Sequence, residues 1–411
     1  MKDHIRDQFP ALQQENDGVV PIFLDGPGGS QVPNCVLNSM VNYLGSSNAN
    51  LGGAYFTSKK TQSLMSDARQ AAADLYNAPS ANNIVFGANA TSLAFHFSRA
   101  VANTWQRGDE VIVTALDHYS NVSPWVLAAE EKGVVVHQVP VVEADCTLDR
   151  QALLGLLNEK TKFVAVTHAS NTTGSMVDVK AVIEDIKSHS EALVYVDAVH
   201  YVPHASVDVQ ALGCDFLVSS AYKYFGPHLG VLFAKESVLS SLSPYKVAPA
   251  KDVNPGRWET GTQSFEALAG FVSAVDYIAS LSDLPVTRSR RERICAGYEH
   301  IIQHEKMLSA HFLSNLEGFT GIKLFGLSSS ENRTPTFAFR IEGIAPRAVS
   351  EFFAQYDVCI WDGNFYAQGL YEQLGLTDIG GVIRVGCMHY NNVSELERFF
   401  ELLEKCILLH K

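Results

Sequence analysis

The sequence lacks any run approaching the ~18 apolar residues of a membrane span, and its opening, "MKDHIRDQFPALQQEND", has no apolar centre like that of a signal peptide. A cytoplasmic protein with no membrane partner is the expectation. The sequon "NTT" at 171–173 then has no route to glycosylation. The seven cysteines (35, 146, 214, 295, 359, 387 and 406) include no C-x-x-C pair, which argues against a disulfide framework and a zinc site. Positive charge is scarce: 31 Lys and Arg stand against 44 Asp and Glu, for a net −13, and "RSRRER" at 288–293 is the longest basic run. That balance argues against nucleic acid as a partner. "DGPGG" at 25–29 falls short of the G-x-G-x-x-G dinucleotide pattern and reads as a tight turn, which counts against a nicotinamide dehydrogenase.

What is present is a repeated design. At 411 residues the chain has room for two domains on a prior of about 150 residues each. From about 84 to 234, short apolar runs end in small polar clusters: "IVFGANATS", "VIVTALDHYSN", "FVAVTHASNTTG", "LVYVDAVH" and "FLVSSAYK". Continuous apolar runs of this length suit strands buried on both faces, and amphipathic stretches such as "DVKAVIEDIKSHS" suit covering helices. The expected fold class is α/β, a mainly parallel, helix-covered sheet over 18–264. A smaller α+β domain is expected over 265–411, with 1–17 packing against it. Within the tail, "TFAFRIEG", "VCIWDGN" and "GGVIRVGCMHYN" read as strands and "VSELERFFELLEKCILLHK" as a final helix. In such sheets the carboxyl ends of the strands form the ligand crevice, and all five polar clusters belong to that edge.

Lys223 follows one of these runs, and Asp197 ends the run before it. A lysine that only snorkels needs no such setting. A partly desolvated lysine can form a Schiff base with a carbonyl. Pyridoxal phosphate needs such a lysine and a carboxylate to keep its pyridine nitrogen protonated, a role Asp197 fits as readily as it fits a helix cap. "NATS" at 89–92 closes a strand and opens a helix, so it is either a plain N-cap or a phosphate site, with Ser220 as an added hydroxyl. His118 or Tyr119 in "LDHYSN" could lie flat on a ring, and Asn171 and His200 could reach its oxygen. His200 and His204 are four apart, but Pro203 opposes the helix that would align them, so no metal is expected.

The stretch "VDAVHYVPHASVDVQALGCDFLVSSAYKYFGPHLGVLF" resembles the cofactor-lysine region of class V aminotransferases, pyridoxal-phosphate enzymes of fold type I. It is most similar to their cysteine desulfurase and selenocysteine lyase branch. The likeness runs from "FLDGPGGSQVP" to "IRVGCMHYN". It implies Lys223 as the Schiff-base and catalytic lysine, Asp197 as the pyridinium partner and His118 as the stacking residue. Asn171 and His200 become ring-oxygen contacts, with His200 in place of the usual glutamine. Ala90, Thr91, Ser220 and Tyr222 become phosphate contacts, Tyr222 replacing the usual histidine. Thr262 would reach the phosphate of a second subunit in a homodimer, and Arg384 would hold the carboxylate of an amino-acid substrate, with Asn364 beside it. The family pattern breaks at "WDGNFYAQG", where desulfurases carry a persulfide cysteine and this chain has none, Tyr366 falling at about that place; Cys359 and Cys387 read as strand residues. The expectation is a lyase or transferase on an α-amino acid, desulfurase-like or selenocysteine lyase-like without the usual thiol. An aminotransferase, an epimerase, a C–S β-lyase and a non-catalytic cofactor-binding protein remain as alternatives.

Overall fold

The computed structural model describes residues 3–410; residues 1, 2 and 411 of the two terminal segments lie outside the described residues. Seven strands form the main sheet: β1 (Ile84–Gly87), β2 (Glu110–Thr114), β3 (Val135–Val139), β4 (Thr161–Thr167), β5 (Leu193–Asp197), β6 (Phe216–Ser220) and β7 (Gly230–Ala234). Their order is β1-β7-β6-β5-β4-β2-β3, parallel except for β7, which runs against both neighbours. The apolar runs are continuous because the sheet is buried on both faces. Along β5, Val194 and Val196 enter one core while Tyr195 enters the other, and along β6 Leu217 opposes Phe216 and Val218 in the same way.

The covering helices follow the apolar period. In Val179–His189, Val182, Ile183 and Ile186 are buried, Asp178 caps the start by accepting from Ala181 N (3.1 Å), and Lys187 and His189 sit in the last turn. On the same side of the sheet, Phe265–Ser280 packs against Asn34–Ser46 and Phe56–Tyr76.

A second sheet holds β8 (Ile322–Phe325), β9 (Thr336–Ile341), β10 (Trp361–Gly363) and β11 (Val382–Gly386) in the antiparallel order β8-β9-β11-β10. Its core is aromatic: Phe312 stacks on Phe337 at 3.9 Å, and Phe353 on Phe399 at 4.9 Å. The segment read as a single strand, "VCIWDGN", is two. Val358–Cys359 pairs with Ile22–Phe23, and β10 pairs with β11, the break falling at Ile360. The pairing with Ile22–Phe23 continues as Leu24 N bonds Cys359 O and Gly386 N bonds Leu24 O, so Gly26–Gly28 is brought against the end of β11. Cys387 lies just past β11 rather than within a strand. Among the described residues no helix is long and apolar enough to cross a membrane.

Candidate active site

The carboxyl ends of β1, β2, β4, β5 and β6 open on one cavity of about 880 Å³, closed from the other side by Pro27–Gly28, by residues 361–366 and by Arg384. Into it the fold brings Ala90, Thr91, His118, Asn171, Asp197, His200, Ser220, Tyr222, Lys223, Asn364 and Arg384. Thr262 does not line it; it is exposed, before the helix that starts at Phe265.

Lys223 sits in the turn between β6 and β7, half-buried, with Nζ donating to the carbonyl of Pro27 and lying 4.8 Å from the Tyr222 ring centre. Burial, helped by the Arg384 guanidinium, brings its pKa down to about 7, while Asp197 and Asp25 pull the other way. Asp197 ends β5, level with Thr167 and Val218 on its neighbours, and Val199 N donates to its Oδ1 at 2.9 Å. Its carboxyl is pushed up to about 6 by burial, against the Val199 bond and the Lys223 charge.

His118 follows β2 in the buried turn that Asp117 organises by accepting from Thr114 Oγ1 and from Asn121 Nδ2. Nδ1 of His118 accepts from Ser120 N (3.0 Å), which places its proton on Nε2. Burial, then Lys223 and Arg384, lower its pKa to about 4, so the ring is neutral. At the opposite corner, Asn89 caps the helix Ala90–Ala102, accepting from Ser92 N, while Ala90 N donates to Ser220 Oγ (3.1 Å). That leaves the Ser220 hydroxyl proton and the first-turn amide of Thr91 for an anion.

Arg384, 5 % exposed, projects from β11 and gives one hydrogen bond, Nη1 to Asn171 O (2.8 Å). Its guanidinium lies 3.9 Å from the centre of the Phe365 ring. Asn171 Nδ2 donates to Phe365 O (2.8 Å), and Asn171 Oδ1 is buried without a partner. His200, 4 % exposed, bonds through Nε2 to the hydroxyls of Thr334 (3.1 Å) and Thr336 (3.0 Å), and His204 pairs with Glu305 at 2.8 Å. The pair of histidines thus faces threonines and a carboxylate, each histidine with its own partner.

Several groups in or beside the cavity were given no role by the sequence reading. "DGPGG" is more than a turn: Pro27 O receives Lys223, and Asp25 lies near both cations of the site, its carboxyl raised to about 6 by burial and its Oδ1 unpartnered. Phe365 and Tyr366, both at positive φ (50° and 58°), fold the loop inward, with Tyr366 stacked on His118 at 5.4 Å and Tyr366 O taking Tyr119 N. The unusual "NFYA" was the only signal for them. Neither Cys359 nor Cys387 lines the cavity; burial raises the Cys359 thiol to about 11 and that of Cys387 well above its ordinary value.

The donor set fits pyridoxal phosphate: an amine of lowered pKa, a buried carboxylate one strand away, a neutral imidazole for stacking, and a helix N-terminus beside a hydroxyl. The unpartnered Asn171 Oδ1 is a further mark of a site built for a ligand.

The family model for aminotransferase class-V matches residues 22–399. An aminotransferase-like protein, FGM3, of Gibberella zeae is 33 % identical over 98 % of this chain and 97 % of its own. A probable cysteine desulfurase of Vibrio cholerae is 27 % identical over 98 % of both chains. Among solved structures, the apo cysteine desulfurase of Thermococcus onnurineus superposes with a TM-score of 0.88 at 23 % identity, covering 98 % of each chain. The cysteine desulfurase CsdA of Escherichia coli gives 0.86 at 23 % identity over the full length of both. These two share the fold, that of type I pyridoxal-phosphate enzymes. With a lysine, a carboxylate and an arginine converging on one cavity, and a family match along nearly its whole length, the chain belongs to the class V aminotransferases, in their cysteine desulfurase-like branch, and is a pyridoxal-phosphate-dependent enzyme.

Proposed function

We propose that the enzyme acts on a small α-amino acid by removing its α-proton, and that it does so without a persulfide-forming cysteine. The observation that carries this reading is the lining of the cavity: Lys223, Asp197 and Arg384 are all present, and no cysteine is. Bound pyridoxal phosphate supplies an aldehyde for the amine and a ring that takes up the electron pair left at Cα.

The chain does the rest. Arg384 has N–H groups beyond the one given to Asn171, and these take the substrate carboxylate, bidentate where the fork allows. Lys223, with a pKa near 7, has a large neutral fraction at neutral pH, so its Nζ can accept the α-proton as a general base. Asp197, near 6, is mostly ionised at that pH and keeps the ring nitrogen charged. His118 would stack on the ring, and Ala90, Thr91, Ser220 and Tyr222 would hold the phosphate. Asn364 contacts the substrate from the loop.

Attack on cysteine sulfur needs a thiolate within reach, and the loop offers Asn364, Phe365 and Tyr366 instead. Selenium leaves more easily, so selenocysteine cleavage or β-elimination fits better than cysteine desulfuration; transamination or epimerisation is open to the same carbanion. The working unit is a homodimer completed by Thr262 of each subunit. Supporting this are the exposure of Thr262 and that of the apolar side chains Val41, Leu44, Tyr55 and Phe56.

The test is reconstitution with pyridoxal phosphate, borohydride reduction and peptide mapping, expected to fix the cofactor to Lys223. A screen of cysteine, selenocysteine and alanine for sulfide, selenide, pyruvate and ammonia then names the reaction. An adduct on another lysine, or none, overturns the reading. Rapid alanine formation from cysteine with a trapped persulfide on Cys359 or Cys387 would make the protein a desulfurase with a relocated acceptor.

A further inference from the structure

Five residues able to carry a positive charge line the cavity: His118, His200, Lys223, His228 and Arg384. Four of them are committed. Lys223 is the amine assigned to the aldehyde, and Arg384 is turned to Asn171 O and assigned to the substrate carboxylate. His118 and His200 are kept neutral, chiefly by burial, and His200 is bonded to Thr334 and Thr336. The fifth, His228, is exposed at the cavity and lies flat on the Tyr222 ring, 4.9 Å between ring centres and 10° between planes. Among the described residues its ring nitrogens have no hydrogen-bond or ion-pair partner.

The corner assigned to the phosphate is short of donors and has no cation. Of the first three amides of the helix Ala90–Ala102, that of Ala90 goes to Ser220 Oγ and that of Ser92 to Asn89 Oδ1, which leaves only that of Thr91. With the hydroxyls of Thr91, Ser220 and Tyr222 this is a set without formal charge, whereas a phosphate monoester carries about −1.5 to −2 at neutral pH.

The backbone carries His228 to this corner. Two residues after it, Gly230 opens β7 opposite Ser220 and packs so closely on the turn before the helix that a Cβ there would lie 2.6 Å from the Asn89 carbonyl carbon. Between the two, Leu229 O accepts from Ala221 N at 2.9 Å. His228 is thus fixed to the stretch that joins the lysine turn to the start of the helix, with the Tyr222 ring behind it.

We propose that His228 is the cationic contact of the cofactor phosphate, positioned by its stacking on Tyr222. The inference rests on the cofactor site as proposed above. A charge-assisted bond from an imidazolium to a phosphate oxygen is stronger than one from a hydroxyl or an amide, and the phosphate favours the charged form of a histidine beside it.

The experiment compares pyridoxal phosphate with pyridoxal, which has the same aldehyde and ring but no phosphate. Dissociation constants for the lysine adduct are read from its absorbance in the cofactor-free wild type, His228→Asn and His228→Arg. For pyridoxal phosphate, His228→Asn should weaken binding about 10- to 100-fold, and His228→Arg should recover most of the loss. For pyridoxal, all three proteins should bind alike. An equal loss for both aldehydes, or no loss for either, overturns this inference alone. A wild type that forms no adduct with either aldehyde overturns it together with the site assignment.

Discussion

The two walls of the cavity are made differently. On the sheet side, Lys223, Asp197, His118 and Ser220 sit at the ends of strands whose side chains fill two cores, and local hydrogen bonds fix Asp197, His118 and Ser220 from behind. On the other side, residues 363–366 form a loop with two non-glycine residues at positive φ, tied down by the bond from Asn171 Nδ2 to Phe365 O and by that from Tyr119 N to Tyr366 O. A left-handed conformation at such residues is a strained choice, kept only where surrounding contacts enforce it. The rigid wall holds the groups assigned above to the cofactor; the strained wall holds Asn364, Phe365 and Tyr366, which stand where the proposed function places the substrate.

Substitutions on each wall should therefore fail in different ways. The largest effect is expected from Lys223→Ala, which removes the base; turnover should fall by about 10²–10⁴ in single-turnover measurements. A smaller loss would move the base to another residue and break the contrast. Arg384→Ala should lower kcat/KM by about 10- to 100-fold, mostly through KM, since each hydrogen bond to a charged group is worth about 1.5–3 kcal/mol. Cofactor content should be unchanged.

The pH dependence isolates the rigid wall. Only the neutral amine condenses with an aldehyde, and Lys223 is neutral above its pKa of about 7. Incorporation of pyridoxal phosphate into the cofactor-free protein should slow by about tenfold per pH unit below 7 and level off above it. A limb near the ordinary lysine value would show that burial does not act on Nζ. Phe365→Ala tests the loop. Removal of the ring from Arg384 costs about 0.5–2 kcal/mol, so KM should rise a few-fold while kcat changes less; Phe365→Tyr should restore it and Phe365→Leu should not. The smallest effect, under about twofold on turnover of cysteine, is expected for Cys359→Ala, whose thiol lies outside the cavity with its pKa near 11.

The same division explains what could be read from the sequence. The sheet was legible because each strand states its own burial: "LVYVD" and "FLVSS" are apolar on both faces and end in polar residues, so Asp197 and Lys223 were placed at one edge before any geometry was known. Strand β8, "IKLF", was missed because it is short, carries Lys323 at its centre and is only partly buried. The break at Ile360 was missed because nothing local announces that Val358–Cys359 pairs with a segment more than 300 residues earlier. Phe365 and Asp25 are placed by tertiary packing alone: one through a strained loop, the other because Ile22–Phe23 pairs with Val358–Cys359 and carries Asp25 against Gly386 at the end of β11. Thr334 and Thr336 were invisible for the same reason, since only the closed fold sets them on His200.

Gly230 shows how firmly the rigid wall is bound together. It lies between Ser220 on β6 and Gly87 on β1, and a Cβ built on it would come within 2.6 Å of the Asn89 carbonyl carbon and 2.8 Å of Leu93 Cδ1. No side chain fits there without displacing the start of the helix at Ala90. The turn that carries the lysine and the helix that starts at Ala90 are in effect a single casting, joined at a residue that tolerates no bulk. A lineage, or a laboratory, in search of a new substrate has little to gain on that side and more on the other: on the proposed function, variation at 363–366 would alter what the site admits while the casting stays intact.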